Sequence, residues 1–230
     1  MTIDVRSTAD LEEAARAGAA FLAERAADCV RSRGRFTAAL SGGSTPSRMF
    51  VALAELDLPW HDVHLFQVDE RIAPLGHQDR NLGPLAEHLL DRVPIPWGNV
   101  HLMPVDAESP ETATAELAKE LTRVTQGVLD VVHLGIGDDG HTASWPPGDP
   151  AVDAWTSDVA VTGVFNGRRR MTLTPPAVNR ARSVLWLVAG ADKAPVVRRV
   201  LEHDRQIPAG RVTVGAQVLF ADAAALATSA

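Results

Sequence analysis

Short apolar segments alternate with helix-like segments along this chain of 230 residues. The strand-like segments lie at 36–40, 64–68, 100–103, 129–136 and 184–188. Helical periodicity falls between them, at 9–33, 45–56, 82–92, 111–126 and about 192–203. Strands that are apolar on both faces and separated by single helices predict an α/β fold, a mostly parallel sheet with helices on both faces. Ligands bind beyond the carboxyl ends of such strands, so the residues after each strand are the candidates for a site.

The first helix has the clearest periodicity. The residues that recur at three- and four-residue steps on one face are Leu11, Ala15, Gly18, Leu22, Ala26 and Cys29. Ser or Thr before a periodic segment is a helix N-cap signal, so Ser7 or Thr8 is the expected cap. The stretch 69–80 is polar and is predicted to be a loop.

Composition limits the compartment and the partners. Hydrophobic residues make up 46% of the chain, and 230 residues fit one α/β domain, so residues 1–230 are expected to form a single domain. The net charge of -7 argues against nucleic acid as a partner. Cys29 is the only cysteine, which suits a reducing compartment and a buried thiol. With no signal-like N-terminus and no membrane-length apolar run, we expect a cytoplasmic protein, a monomer or weak homo-oligomer.

The first strand leads into Ser41-Gly42-Gly43-Ser44-Thr45-Pro46 and then directly into a helix. Adjacent glycines let a ligand approach the backbone, and the free N–H groups at a helix start attract anions. Gly42, Gly43, Ser44 and Thr45 are therefore candidate phosphate-binding residues. The segment lacks GxxxxGK[ST] and is not a P-loop. An ordinary strand-to-helix turn is the alternative.

Charged residues follow the next strand, in Val68-Asp69-Glu70-Arg71. Charges at the end of a buried strand are costly unless they pair or serve a site. Asp69 and Arg71 are therefore candidate site residues. The competing interpretation is a local Asp–Arg ion pair that holds the loop.

A glycine-rich turn, Gly135-Ile136-Gly137-Asp138-Asp139-Gly140-His141, follows the third strand. It matches GxGxxG literally, but a pyrophosphate would meet the two aspartates, and Trp145-Pro146-Pro147 prevents the long helix that a dinucleotide site needs. The turn instead presents His141 beside Asp139, which could fix the imidazole tautomer of a general base. A structural histidine and a metal site at Asp139 and His141 are the alternatives. No HExxH motif or cysteine cluster supports a metal, and no cofactor is expected.

Basic residues follow at two further places. Lys193 lies just past the strand at 184–188, where a compact charge suits phosphate, although a helix-surface lysine is the alternative. Arg168, Arg169 and Arg170 precede Met171. The triplet does not reveal which arginine faces a ligand.

Together, SGGSTP at 41–46, VDER at 68–71, GIGDDGHTAS at 135–144, RMTLTPPAVNRA at 170–181 and AGADKA at 189–194 resemble the 6-phosphogluconolactonases, within the wider family that includes glucosamine-6-phosphate deaminase/isomerase. The resemblance covers nearly the whole chain. It implies a three-layer, Rossmann-like fold and metal-free hydrolysis of 6-phosphoglucono-δ-lactone to 6-phosphogluconate in the oxidative pentose phosphate pathway. It also implies a sugar-phosphate lactone as the small-molecule substrate.

The resemblance also implies residue roles. His141 would activate water, and the phosphate would bind Gly42, Gly43, Ser44 and Lys193. One or more of Arg168, Arg169 and Arg170 would assist without the resemblance deciding which, and we take Arg169 as the expected ligand. Asp69 would orient the substrate or act electrostatically.

Two other functions stay open at this stage. The deaminase/isomerase pattern, GHIAFNEP, has a glutamate five residues after the histidine, where this chain has Pro146. Pro146 therefore argues against an isomerase or deaminase. A non-catalytic sugar-phosphate-binding protein would normally need an output domain, for which one α/β unit leaves no room.

Overall fold

A computed structural model of the chain describes residues 2–149 and 151–227. Its central sheet has seven parallel strands, which are β1 (Ile3–Thr8), β2 (Phe36–Leu40), β3 (Val63–Gln67), β5 (Val100–His101), β6 (Val131–Leu134), β9 (Ser183–Val188) and β10 (Gln217–Asp222). Their order across the sheet is β1-β10-β9-β6-β2-β3-β5. The predicted parallel sheet is confirmed, and every strand predicted from the sequence belongs to it.

Helices cover both faces of this sheet. They are α1 (Leu11–Arg33), α2 (Ser44–Ala54), α3 (Leu82–His88), α4 (Pro110–Thr125), α5 (Ala151–Ala154), α6 (Pro175–Asn179) and α7 (Ala194–Leu201). Two hydrophobic clusters lie on opposite faces because side chains alternate along a strand. In β2, Ala38 and Leu40 pack with α1 and α2, whereas Ala39 packs with α4 and α7. The predicted three-layer arrangement is confirmed. No helix within 2–149 and 151–227 has the length and apolar character of a membrane span.

The expected cap of the first helix is wrong. Ser7 and Thr8 lie in β1, which pairs with β10 at the sheet edge. Asp10 caps α1 instead, and its carboxylate accepts a hydrogen bond from the backbone N–H of Glu13 at 2.8 Å. Gly34 ends the helix with a φ of 75°, which glycine adopts without strain.

A second, antiparallel sheet lies beside the first and was not predicted. Its order is β4-β8-β7, formed by β4 (Asp69–Arg71), β7 (Val159–Val161) and β8 (Arg170–Leu173). The predicted loop at 69–80 therefore begins with a strand. Pairing places Arg71 opposite Arg170 and Asp69 opposite Thr172. The sheet brings charged residues about a hundred positions apart in sequence to one place.

Two helix boundaries also differ from the sequence interpretation. The helix expected over 82–92 ends at His88 and is followed by a 3-10 turn at 90–92. The helix expected from about 192 begins at Ala194, after a 3-10 turn at 191–193. Lys193 therefore precedes α7 and lies beside the carboxyl end of β9.

Candidate active site

The carboxyl ends of β2, β3, β6 and β9 open into a cleft of about 300 Å³. All of the predicted site residues except Asp139 and Arg169 line it, namely Gly42, Gly43, Ser44, Thr45, Asp69, Arg71, His141 and Lys193. Asn81, Gly137 and Arg170 line it as well. The five sequence motifs thus meet at the carboxyl edge of the sheet, where ligands of parallel sheets bind.

The glycine loop, Ser41-Gly42-Gly43, joins the end of β2 directly to the start of α2. Gly43 stands at the N-cap with a φ of 129° and has no side chain that could cap the first N–H groups of α2. At Gly42, a Cβ atom would lie 2.2 Å from Oδ1 of Asn81. Glycine is therefore required for Asn81 to reach the loop, and the uncapped helix start faces the cleft as an anion site.

His141 is held by its own turn. Its Nδ1 lies 2.6 Å from Oδ1 of Asp139, which also accepts the backbone N–H of His141 at 3.0 Å. A carboxylate accepts the proton of Nδ1, so the neutral imidazole keeps its lone pair on Nε2. Burial opposes ionisation of Asp139, but the two hydrogen bonds from His141 outweigh it and hold the pKa of the carboxyl below its ordinary value. The pair has the arrangement of a general base and its orienting acid.

Two glycines shape this turn. A Cβ atom on Gly137 would lie 2.0 Å from Nδ1 of His141, so the imidazole packs directly on the Gly137 backbone. Gly140 has a φ of 84°, and its Cβ would lie 2.6 Å from Cβ of Ile207. The glycines thus form a tight turn that places His141 beside Asp139, rather than a dinucleotide-binding loop.

Asp69 is buried in a polar cluster at the floor of the cleft. Its Oδ2 accepts a hydrogen bond from Oγ of Ser144 at 2.6 Å and lies 3.9 Å from Nη1 of Arg170. Its backbone carbonyl accepts a bond from Asn81 Nδ2 at 2.9 Å. Arg71 Nη1 donates to Asn81 Oδ1 at 2.6 Å, which ties Arg71 to the same cluster. Asn81 and Ser144 were not predicted as site residues.

The loop after β3 is anchored by Glu70 rather than by the Asp–Arg pair considered from the sequence. Glu70 is fully buried and accepts backbone N–H bonds from Arg71, Asn81 and Leu82 at 2.7 to 2.8 Å. Arg80 Nε lies 3.3 Å from its carboxylate. Glu70 therefore holds the loop in place, whereas its neighbours Asp69 and Arg71 line the cleft.

The arginine assignment needs a correction. Arg169 lies outside the cleft, where its exposed side chain pairs with Glu111 on α4. Arg170 lines the cleft instead, with 8% of its side chain exposed. Burial, with the nearby charge of Arg71, lowers the pKa of Arg170 from its ordinary value. Alternation along β8 explains the difference, because Met171 and Leu173 enter the core and Arg170 takes the other face with Thr172.

Lys193 reaches across the cleft mouth to the histidine turn. Its Nζ donates to the carbonyl of Ile136 at 3.1 Å and pairs with the carboxylate of Asp138. Its side chain is 22% exposed, whereas that of Asp138 is 73% exposed. The Lys193 ammonium can therefore bind an anion in the cleft while the Asp138 carboxylate remains exposed to solvent.

Arg168 does not line the cleft but lies in a neighbouring pocket beside Arg71 and Arg170. Its Nε lies 2.6 Å from Oδ2 of Asp79, and its Nη2 lies 3.0 Å from Nε2 of His77. The hydrogen bond from Arg168 holds the pKa of Asp79 below its ordinary value. Within the described part of the chain, no group of three or more His, Cys, Asp or Glu side chains is placed to hold a metal ion.

Comparison with known proteins identifies the family. The sequence profile of the glucosamine-6-phosphate isomerases/6-phosphogluconolactonase family matches residues 9–220. The chain belongs to this family. It is 42% identical over 186 residues to a 6-phosphogluconolactonase of Synechocystis sp., covering 75% of this chain and 77% of that protein. It is 35% identical over 210 residues to the human 6-phosphogluconolactonase, covering 86% and 81%.

Solved structures of two differently named enzymes share the fold of this chain. The 6-phosphogluconolactonase of Thermotoga maritima superposes with a TM-score of 0.86 at 27% identity, covering 96% of this chain and 99% of that one. A monomeric glucosamine-6-phosphate deaminase superposes with a TM-score of 0.85 at 18% identity, covering 98% and 100%. The fold alone therefore does not separate the two activities.

Proposed function

We propose that this family member is a 6-phosphogluconolactonase, which hydrolyses 6-phospho-D-glucono-1,5-lactone to 6-phospho-D-gluconate in the pentose phosphate pathway. The observation that carries the proposal is the His141–Asp139 pair at 2.6 Å, on the same cleft as the glycine loop and Lys193. The names of the relatives at 35–42% identity support the same activity. Pro146 supports it against the isomerase and deaminase, because a proline cannot supply the ring-opening carboxylate.

The phosphate would bind at the open end of α2. Backbone N–H groups of Ser44 and Thr45, the ammonium of Lys193 and the guanidinium of Arg170 supply donors and positive charge there. These local charges offset the net charge of -7 for an anionic substrate. Binding energy from the phosphate, remote from the reacting carbon, holds the lactone carbonyl beside His141.

Hydrolysis needs one base that later returns its proton. Nε2 of His141 removes a proton from water as the water oxygen bonds to C1, and the carbonyl electron pair moves to oxygen. Arg71 faces the same cleft and would stabilise that oxyanion. As the carbonyl reforms, the bond from C1 to the ring oxygen breaks, and the imidazolium returns the proton to that oxygen. Asp139 keeps the imidazole oriented throughout, and Asp69 holds Ser144 and Arg170 in place.

The wider context of the enzyme is part of the proposal. Residues 1–230 would form one α/β domain, since both hydrophobic clusters share the strands of one sheet; Met1, Pro150 and residues 228–230 lie outside the described residues. The enzyme would work in the cytoplasm as a monomer or weak homo-oligomer. Its only cysteine, Cys29, is buried and free, which agrees with a reducing compartment.

The test follows hydrolysis of freshly prepared 6-phosphogluconolactone, by acid release or by coupled reduction of NADP, with spontaneous hydrolysis subtracted. Wild type should accelerate hydrolysis strongly, and His141→Ala should lose about 10²- to 10⁴-fold of that rate. His61→Ala is the matched control, because the His61 side chain is 90% exposed and lies outside the cleft. Absence of acceleration by wild type would refute the function. Full activity in a folded His141→Ala variant would refute the assignment of the base.

A further inference from the structure

A tight hairpin connects β7 to β8 beside the cleft. Its tip is Asn166-Gly167, and both residues have positive φ angles, 49° and 79°. Phe165 N–H donates to the carbonyl of Arg168 at 2.9 Å, and Arg168 N–H donates back at 3.3 Å. Two central residues with positive φ form a type I′ turn, for which Asn-Gly is a favoured pair. The turn therefore fixes the direction of the side chains that flank it.

The Phe165 ring contacts two side chains of the cleft. It meets the imidazole of His141 edge-to-face, with ring centroids 5.2 Å apart and an interplanar angle of 78°. The guanidinium carbon of Arg170 lies 5.1 Å from the centroid of the same ring. Phe165 itself is not among the residues that line the cleft. The ring therefore contacts the candidate base and a candidate phosphate ligand.

The hairpin is also tied to the rest of the site. Arg168, at the end of the turn, binds Asp79 and His77 in the loop after β4. Val164, on the other side of Phe165, is 74% exposed. The hairpin thus turns one large apolar side chain towards the site and its neighbour towards solvent.

We propose that Phe165 is a positioning residue that acts through His141. The imidazole rests on Gly137 and is bonded to Asp139 through Nδ1, yet its side chain remains 26% exposed. The Phe165 ring supplies a further contact, which restricts rotation of the imidazole and limits the access of bulk water to it. Arg170 depends less on this contact, because it is buried beside Asp69 and Ser144. The kinetic part of this proposal rests on the proposed lactonase function.

The kinetic test uses Phe165→Ala, Phe165→Leu and Phe165→Tyr. We expect Phe165→Ala to lower kcat about tenfold while KM changes less than about threefold, since a displaced base affects chemistry more than binding. Phe165→Tyr keeps the ring and should restore kcat, and Phe165→Leu, which keeps apolar volume, should lie between. Val164→Ala is the matched control on the same hairpin and should behave as wild type.

A second measurement does not depend on activity. Diethylpyrocarbonate acylates accessible neutral imidazoles, and peptide mass spectrometry can follow His141 relative to the 90% exposed His61. Phe165→Ala should raise this ratio about threefold or more over wild type through the lost shielding, whereas Phe165→Tyr and Val164→Ala should not. If wild type lacked lactonase activity, the proposed function would fail while this ratio still tested the shielding.

Two outcomes overturn the proposal. One is a folded Phe165→Ala protein with the kcat and the His141 modification ratio of wild type. The other is an equal loss of kcat in Phe165→Tyr or Val164→Ala, which would assign the effect to the hairpin as a whole rather than to the ring. Thermal melting of each variant identifies changes that come from unfolding.

Discussion

Replacing Gly137 with alanine would place a methyl group where the imidazole of His141 now lies. The added Cβ would be 2.0 Å from Nδ1 of His141, 2.1 Å from Cε1 and 2.9 Å from Oδ1 of Asp139. Carbon atoms in ordinary contact are about 3.5 Å apart, so the imidazole has to retreat by about 1.5 Å. The φ angle of Gly137 lies outside the left-handed region, so alanine can adopt its backbone conformation. The substitution should therefore displace the base while the fold persists.

The size of the effect follows from that displacement. A misplacement of about 1 Å can cost about 10²-fold in rate, and full loss of general-base help costs about 10²- to 10⁴-fold. We expect Gly137→Ala to lower kcat for the lactone within this range, about 3 to 5 kcal/mol of transition-state stabilisation. Initial rates of acid release from fresh lactone measure it, with circular dichroism and thermal melting as checks of folding.

Gly83→Ala is the matched control for this prediction. A Cβ on Gly83 would meet nothing within 4 Å, and Gly83 lies in α3, outside the cleft. This variant should keep wild-type rates and equal or slightly greater stability, because alanine favours a helix. If Gly137→Ala were folded and retained kcat within about threefold of wild type, the packing of the imidazole on Gly137 would not control the position of the base, and the reasoning would be wrong.

Three further predictions concern the phosphate ligand and the stability of the fold. Arg170→Ala should raise KM about 10- to 100-fold, because it removes a charge-assisted hydrogen bond to the phosphate. Arg169→Ala should leave KM unchanged, and steady-state kinetics of the two variants tests which arginine binds the phosphate. Burial lowers the pKa of His133 to about 3, so between pH 6.5 and 3 the unfolded state binds a proton that the folded state does not. The free energy of unfolding therefore decreases as the pH is lowered through this range. Between pH 6.5 and 5, the free energy of unfolding should decrease by about 2 kcal/mol less in His133→Leu than in wild type. Urea unfolding at several pH values measures it, and the same pH dependence in both proteins would contradict this. Glu70→Gln should cost about 3 kcal/mol in chemical denaturation, because the buried carboxylate accepts three backbone N–H groups, and a loss below about 1 kcal/mol would contradict it.

The parts of the structure that sequence predicts well are those with local patterns. The apolar segments of β2, β6 and β9 have core residues on both faces, which a parallel strand covered by helices requires. The glycine-rich turn predicts His141 beside Asp139 because those two residues are only two positions apart. In both cases the information lies within a few neighbouring residues.

The second sheet could not be predicted, because its strands are short and their pairing is distant in sequence. The strand β4 has only three residues, all charged, and pairs with β8 across a separation of about a hundred positions. The choice between Arg169 and Arg170 depended on which face of β8 enters the core. The alternation Arg170-Met171-Thr172-Leu173 indicates that Arg170 lies on the face opposite the core. This can be read from the sequence only if the segment is already known to be a strand that begins at Arg170.

The antiparallel sheet, which was not predicted, brings together site residues from β4, from β8 and from the hairpin between β7 and β8. Pairing of β4 with β8 sets Arg71 opposite Arg170, and the hairpin from β7 brings Phe165 to His141. A deaminase with a TM-score of 0.85 has the same overall fold, so this scaffold by itself is compatible with more than one reaction on a sugar phosphate. We expect the segment after His141 to distinguish the reactions, because the deaminase/isomerase pattern has a glutamate where this chain has Pro146. On the proposed mechanism, His141 exchanges its proton with water and the ring oxygen, which suits hydrolysis, and the residue at position 146 is then expected to select this reaction over ring opening with a second carboxylate.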